Sequence, residues 1–298
     1  MKAFLAVTDP DWIDRLKSIN ATEANFWQPS PTRVAMPEWT PWIFKVRRTD
    51  LVAGYGFFSY WTIMPLSVAW ETFGSANGVI SYNDMIRRVG RLRREARTDD
   101  DVGCVVLSDV ILLDRSDWIS APADWHRNVV RGAGYDLAIG EGARIWAQLQ
   151  AVSTTHGKPG VILSVPGASA LQLVSARRGQ GAFRLMVIDA YERRCAISGE
   201  RTLPVLEAAH IRPFADHQQH EVQNGILMRS DIHRLYDRGL VTVEPDLTFR
   251  VSRSIERDYS NGKIYYELDG KTIASPLSPA MKPDTAALSW HSSEIFRP

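Results

Sequence analysis

The chain has 298 residues, 45% of them hydrophobic and 23% charged, with a net charge of +1. That length and balance exclude a disordered or fibrous chain and leave room for two separate cores. Near-neutrality excludes an overall field that could hold a polyanion, so a nucleic-acid partner would need a local basic patch. Cys104 and Cys195 stand alone and far apart; they cannot form a structural zinc site, and a disulfide is not expected. There is no signal-peptide pattern and no apolar run of membrane length. The expectation is therefore a soluble protein of a reducing cytoplasm, with no membrane partner.

In chain order, residues 3–7, 42–46, 52–60 and 103–113 are apolar, β-branched or aromatic runs and read as strands. Residues 66–73 and 81–94 read as helices, and Gly140-Glu141-Gly142 opens another that includes Ile145 and Trp146. Nine of the ten tryptophans lie in residues 1–150. Asn25-Phe26-Trp27-Gln28 reads as a loop that offers an apolar face flanked by amides. Arg87, Arg88, Arg91, Arg93, Arg94 and Arg97 form one basic cluster, which Asp99 to Asp101 balance. Residues 151–178, with Gly157 to Gly160 and Pro166-Gly167, break the pattern and read as a linker. A second basic cluster, Arg177, Arg178, Arg184, Arg193 and Arg194, follows and is the better candidate for a DNA backbone contact.

The stretch 203–214 has an extended apolar centre carrying His210, and Pro213 closes it because the ring denies a sheet its donor. A polar loop follows. Asn224-Gly225 then turns the chain into Ile226-Leu227-Met228, and Ser230-Asp231 reads as the N-cap of a helix carrying His233, Leu235 and Tyr236. Gly239 ends that helix as a C′ glycine. Two short strands and a helix thus carry His210, Asn224 and His233 in order.

From about residue 179, through Ala190-Tyr191 and Cys195, to Leu240, these residues resemble the HNH endonucleases, whose catalytic unit is a ββα-metal fold. The in-frame text Glu-Ala-Ala-His-Ile, then Asn-Gly-Ile-Leu-Met-Arg-Ser-Asp-Ile-His-Arg-Leu-Tyr-Asp-Arg-Gly, carries the resemblance. It implies that His210 activates water, that Asn224 ties the loop to the histidine strand and that His233 binds a divalent cation, Mg²⁺ or Mn²⁺. Neutral histidine suits the first role because its reference pKa lies near 6.5. Many members of the family place an acidic metal ligand where this chain has Ala209, so a carboxylate must come from elsewhere. Glu207, Asp231 and Asp237 are the candidates; Asp237 lies one turn after His233, and a salt bridge to a neighbouring arginine is its alternative role. The paired cysteines with which some relatives bind zinc are absent here.

Residues 1–150 resemble the PUA-like superfamily, especially its EVE branch, on the N-terminal strand, 25–30, 42–46, 51–60 and 103–113. Relatives there flip a modified base into an aromatic pocket; the carry-over nominates Asn25, Phe26, Trp27 and Gln28, with Trp39, Trp70, Tyr55 and Trp61 as further walls. The expected architecture is α+β: a PUA-like β-barrel with inserted helices over 1–150, the linker, a ββα-metal nuclease over 179–275 and a C-terminal tail over 276–298. The combination resembles modification-dependent restriction endonucleases, which cut double-stranded DNA bearing 5-methylcytosine or 5-hydroxymethylcytosine. A homodimer is then expected for double-strand cleavage. The alternatives are a toxin-like or RNA-processing nuclease, and a non-cleaving binding module, for which Ala209 speaks.

Overall fold

The structure is a computed structural model and describes residues 1–93, 101–155, 179–213 and 221–298. The chain divides into two compact units, Met1–Gly179 and Gln180–Pro298.

The first unit is built on one mixed sheet. Its strands are β1 (Lys2–Thr8), β2 (Glu23–Gln28), β3 (Pro41–Val46), β4 (Leu51–Pro65), β5 (Asp101–Leu112), β6 (Ile119–Ser120) and β7 (Gly132–Asp136). They are ordered β2-β5-β4-β3-β1-β7, with β6 paired to β4. Only β1 and β3 run parallel; every other pair is antiparallel. The helices are α1 (Pro10–Ser18), α2 (Leu66–Phe73), α3 (Tyr82–Leu92) and α4 (Gly140–Thr155).

The expected barrel does not form: among the described residues the sheet stays open, with β2 and β7 at its two edges. The reason lies in the alternation of β3. Trp42, Phe44 and Val46 pack with Trp12, Ile13 and Leu16 of α1, whereas Ile43 packs with Tyr55, Phe57 and, from α4, Ile145, Trp146 and Leu149. A sheet covered by helices on both faces has two cores and nothing to enclose. This also explains why its strands read as continuous apolar runs.

Three local expectations shift. Residues 25–28 belong to strand β2, paired with β5 from Glu23↔Ser108 to Gln28↔Gly103, and are not a loop. Helix α3 ends at Leu92, and Arg94 and Arg97 lie outside the described residues. Helix α4 runs on to Thr155, into the expected linker, of which 156–178 lie outside the described residues.

The second unit contains α5 (Gln180–Ala190), the hairpin β8 (Leu206–His210) and β9 (Gly225–Arg229), and α6 (Ser230–Asp237). A second hairpin follows, β10 (Val241–Val243) with β11 (Phe249–Val251), and then α7 (Ser254–Tyr259), α8 (Lys263–Tyr266) and α9 (Thr285–Trp290). The cap of α6 is Arg229, with no side-chain cap, so Ser230 and Asp231 are already helical. At the other end Gly239 takes φ +67°, its N–H bonding the carbonyl of Tyr236 while the N–H of Leu240 bonds that of Leu235. That is a Schellman ending; a Cβ at Gly239 would also stand 2.0 Å from the carbonyl oxygen of Ile295.

The segment expected as a tail is packed into this unit. His291 is buried and stacks on Tyr236, ring centroids 3.6 Å apart. Its Nε2 donates to the carbonyl of Tyr236 at 3.2 Å, and its Nδ1 accepts from the Thr242 hydroxyl at 2.8 Å, the bonding of a neutral imidazole. Burial pushes its pKa from 6.5 down to about 4. Below pH 6.5 the unfolded chain therefore takes up a proton that the folded chain refuses. The stability this histidine contributes is present above 6.5 and is lost as pH falls through about 4, about 3 kcal/mol in all. Urea midpoints between pH 7 and 4.5 should fall for the wild type and stay flatter for His291→Gln; equal slopes would refute the buried neutral ring.

Candidate active site

The β8–β9 register places His210 opposite Gly225, and the N–H of Ile211 bonds the carbonyl of Asn224 at 2.9 Å. The Asn224 side chain closes the hairpin from the other direction. Its Oδ1 accepts from the backbone N–H of Arg212 at 2.9 Å, and its Nδ2 donates to the carbonyl of Arg212 at 3.0 Å. An amide carries one acceptor and two donors, so asparagine can hold both backbone groups of one residue where aspartate could hold only the N–H. This clamp fixes the chain two residues beyond His210.

The ring of His210 lies flat on Phe183 of α5, centroids 4.0 Å apart and planes 10° from parallel. Gly225 makes this approach possible, because a Cβ there would stand 2.5 Å from Cγ2 of Val187 and 2.9 Å from Cζ of Phe183. The Asn-Gly pair is thus two devices, a backbone clamp and a gap into which α5 packs.

His233, on α6, is held at both ring nitrogens. Its Nδ1 is 2.7 Å from Oε2 of Glu207 on β8, and its Nε2 is 3.5 Å from Oδ2 of Asp237, one turn along the helix. Strand alternation puts Glu207 on the same face as Ala209, where the family pattern expects its carboxylate, so a side chain two residues away reaches the same helix. Among the described residues Asp237 pairs with His233, and no arginine is paired with it.

Asp231 is committed elsewhere. Arg229 grips it with Nε at 2.9 Å and Nη2 at 2.5 Å, and the Tyr265 hydroxyl donates to it at 3.2 Å. The Arg229 guanidinium holds its carboxyl below the usual range, ahead of any other influence. The structure therefore brings Glu207, His233 and Asp237 together and gives Asp231 a bracing role. Among the described residues, no three His, Cys, Asp or Glu side chains are grouped so as to hold a metal ion by themselves.

Of the second basic cluster, Arg184 is half-buried on α5, Arg193 sits at φ +59°, Arg194 is ion-paired with Glu192, and Arg177 and Arg178 lie outside the described residues. Sequence reasoning missed Arg212, which stacks over Trp290 at 5.2 Å and donates to the carbonyl of Ala286 at 3.3 Å. It thus joins the clamped loop to the C-terminal helix, and its place in the Ile211-Arg212-Pro213 run, two residues after His210, was the available signal.

In the first unit the nominated base-pocket residues do not converge. Asn25 is fully buried and donates to Oδ1 of Asn77 at 2.9 Å, while the indole N–H of Trp27 donates to the carbonyl of Asn77 at 2.9 Å. Phe26, on the opposite face of β2, packs against Trp12 and Trp42 in the core. Oε1 of Gln28 accepts weakly from the Thr32 N–H at 3.4 Å, Trp39 packs on the second core, and Trp70 leans on Tyr82. The first unit does contain an open cleft of about 540 Å³ between residues 33–38 and Phe58, Ser59, Tyr60 and Trp61. Its floor is where the β4–β5 register shifts between Phe58 and Tyr60, a bulge that re-aims side chains.

Residues 195–244 match the family model of the HNH endonucleases, which supports an HNH endonuclease domain in that part of the chain. No curated protein matches the chain. Among solved structures, two mutants of the ASCH protein of Zymomonas mobilis are 13% and 10% identical. They cover 50% and 49% of this chain and 99% and 95% of their own, each with a TM-score of 0.32. The ASCH protein from Zymomonas mobilis is also similar, at 14% identity, covering 42% of this chain and 88% of its own with a TM-score of 0.27. Among the described residues, no helix is long and apolar enough to cross a membrane.

Proposed function

We propose that the chain is a modification-dependent DNA endonuclease, in which the second unit hydrolyses a phosphodiester and the first unit selects DNA carrying 5-methylcytosine or 5-hydroxymethylcytosine. The observation that carries the nuclease part is the HNH match over 195–244, with Asn224 clamping the strand that ends in His210. Hydrolysis forms a bond from water oxygen to phosphorus and breaks the bond to the leaving alkoxide. Neutral His210 accepts the proton of the attacking water, and Phe183 fixes the plane of its ring. Asn224 contributes by positioning only.

A divalent cation fits at His233. His233 and Asp237, with Nε2 and Oδ2 3.5 Å apart, are the side chains that would hold it, and Glu207 at Nδ1 would orient the ring so that Nε2 faces the ion. Mg²⁺ or Mn²⁺ suits this set, because such ions keep several waters and need only one or two carboxylates. When bound, the ion would stabilise the charge that develops on the phosphate.

For selection, the cleft over Tyr60 and Trp61 is a better seat for an extruded base than the neighbourhood of Trp27. It is concave and partly aromatic, and the buried indole N–H of Trp61 has no hydrogen-bond partner among the described residues. Because one HNH site cuts one strand, a double-strand break needs two chains. Matched plasmids, unmodified, methylated and hydroxymethylated, digested with Mg²⁺ or Mn²⁺, test the reading. Cleavage of modified plasmids alone is expected; equal cleavage of all three removes the selection, and cleavage of RNA alone would replace the substrate.

A further inference from the structure

Beside the candidate metal corner lies a second cleft, of about 420 Å³, whose lining includes Asp237, Arg238, Arg257, Asp258, Tyr259 and Arg297. Arg238 closes α6, Tyr259 ends α7, and Arg297 comes from the segment after α9, so three separate parts of the unit build it. Only Asp237 and Arg238 of these residues fall within the stretch that matches the HNH model.

The charges do not cancel evenly. Arg257 and Asp258 neutralise one another through bonds of 2.7 and 3.2 Å, and Asp237, 3.5 Å from Nε2 of His233, leaves one negative charge against two further guanidiniums. Arg238 and Arg297 remain, both exposed and neither ion-paired among the described residues. Tyr259 adds an aromatic ring that is 62% exposed and so open to a ligand in the cleft. Guanidinium groups beside an open aromatic ring, continuous with a phosphodiester-cleaving corner, are what a nucleic-acid strand requires: charge for phosphates and a face for a sugar or base.

We infer that this cleft is the track for the DNA strand next to the scissile phosphate, with Arg238 and Arg297 each taking a phosphate and Tyr259 packing on the nucleotide between or beside them. The inference rests on the nuclease reading above, and it assigns backbone recognition to the C-terminal side of α6, where the arginines before Cys195 had been the expectation.

The test is equilibrium binding of a DNA duplex to the full chain carrying His210→Phe, without added divalent metal so that the probe is not cut, over a series of salt concentrations. Arg238→Gln and Arg297→Gln should each lower the slope of log affinity against log salt by about 0.9, and together by about 1.8. Lys271→Gln, an exposed charge outside the cleft, should leave the slope unchanged. Tyr259→Leu should keep the slope and weaken binding roughly tenfold. Thermal midpoints within a degree or two of the parent establish that the variants are folded. Unchanged slopes in folded Arg238 and Arg297 variants overturn the track, and an unchanged affinity for Tyr259→Leu removes the tyrosine from it. Failure of the wild type to cut DNA would overturn the nuclease reading separately, since the salt slopes are measured without cleavage.

Discussion

Replacing His210 by phenylalanine should leave a folded protein that binds DNA and cuts it about 10²–10⁴ times more slowly, the usual loss when a positioned general base is removed. Phenylalanine is a more telling substitute than alanine because the ring of His210 is stacked on Phe183 at 4.0 Å. Alanine would remove both the base and a packing partner, and any loss of activity could then be blamed on the gap left beside α5. Phenylalanine keeps an aromatic face there and removes only the nitrogens. His210→Ala should be equally inactive but less stable, by about 1–2 kcal/mol for the lost stacking and burial. Single-turnover cleavage at saturating protein, together with urea midpoints for both variants, separates the two effects. Activity of His210→Phe within a few-fold of the wild type would remove His210 from the chemistry.

The second unit was legible because its signals are local. Asn224-Gly225 and Gly239 each dictate a backbone event within two or three residues, and the structure starts β9 at Gly225 and ends α6 just before Gly239, whereas β8 already ends at His210, three residues before Pro213. The clamp was foreshadowed by asparagine itself, whose amide can serve both groups of a peptide. The helix cap was misjudged by one residue because Asp231 is held by Arg229 and Tyr265, a competition that sequence alone does not weigh.

The first unit was legible strand by strand but not as a whole. Trp42, Ile43 and Phe44 are apolar in succession, which is compatible with a barrel wall or with a sheet buried on both faces, and only the placement of α1 and α4 decides between them. Residues 25–28 were read as a loop because asparagine and glutamine flank the aromatics. The amide of Asn25 is instead spent inside the protein on Asn77, fifty-two residues away, a tertiary partnership that no window of sequence reveals, while Gln28 makes only an exposed local bond to Thr32. The cleft over Tyr60 and Trp61 depends on a register shift in a strand of fifteen residues, equally invisible before pairing is known.

The largest effects after His210 should come from the metal corner, and their order distinguishes ligand from brace. His233→Ala and Asp237→Ala each remove a donor in the proposed arrangement. They should depress cleavage at ordinary metal concentration and recover in part as Mn²⁺ is raised, because a lost ligand weakens affinity first. Glu207→Ala should differ in kind. Glu207 accepts from the far nitrogen of His233 at 2.7 Å, so its loss should raise the half-saturating metal concentration about 10–100-fold while leaving the rate at saturating metal close to that of the wild type. Calorimetric titration of Mn²⁺ into each variant, set beside cleavage at several metal concentrations, reads both quantities. If Glu207→Ala is inactive at every metal concentration while Asp237→Ala titrates like the wild type, the two carboxylates exchange roles. Glu207 would then be the direct substitute for the acid missing at Ala209, reaching the ion from the same strand face. If none of the three variants changes the titration, the cation is held elsewhere and His233 is a structural histidine between two carboxylates.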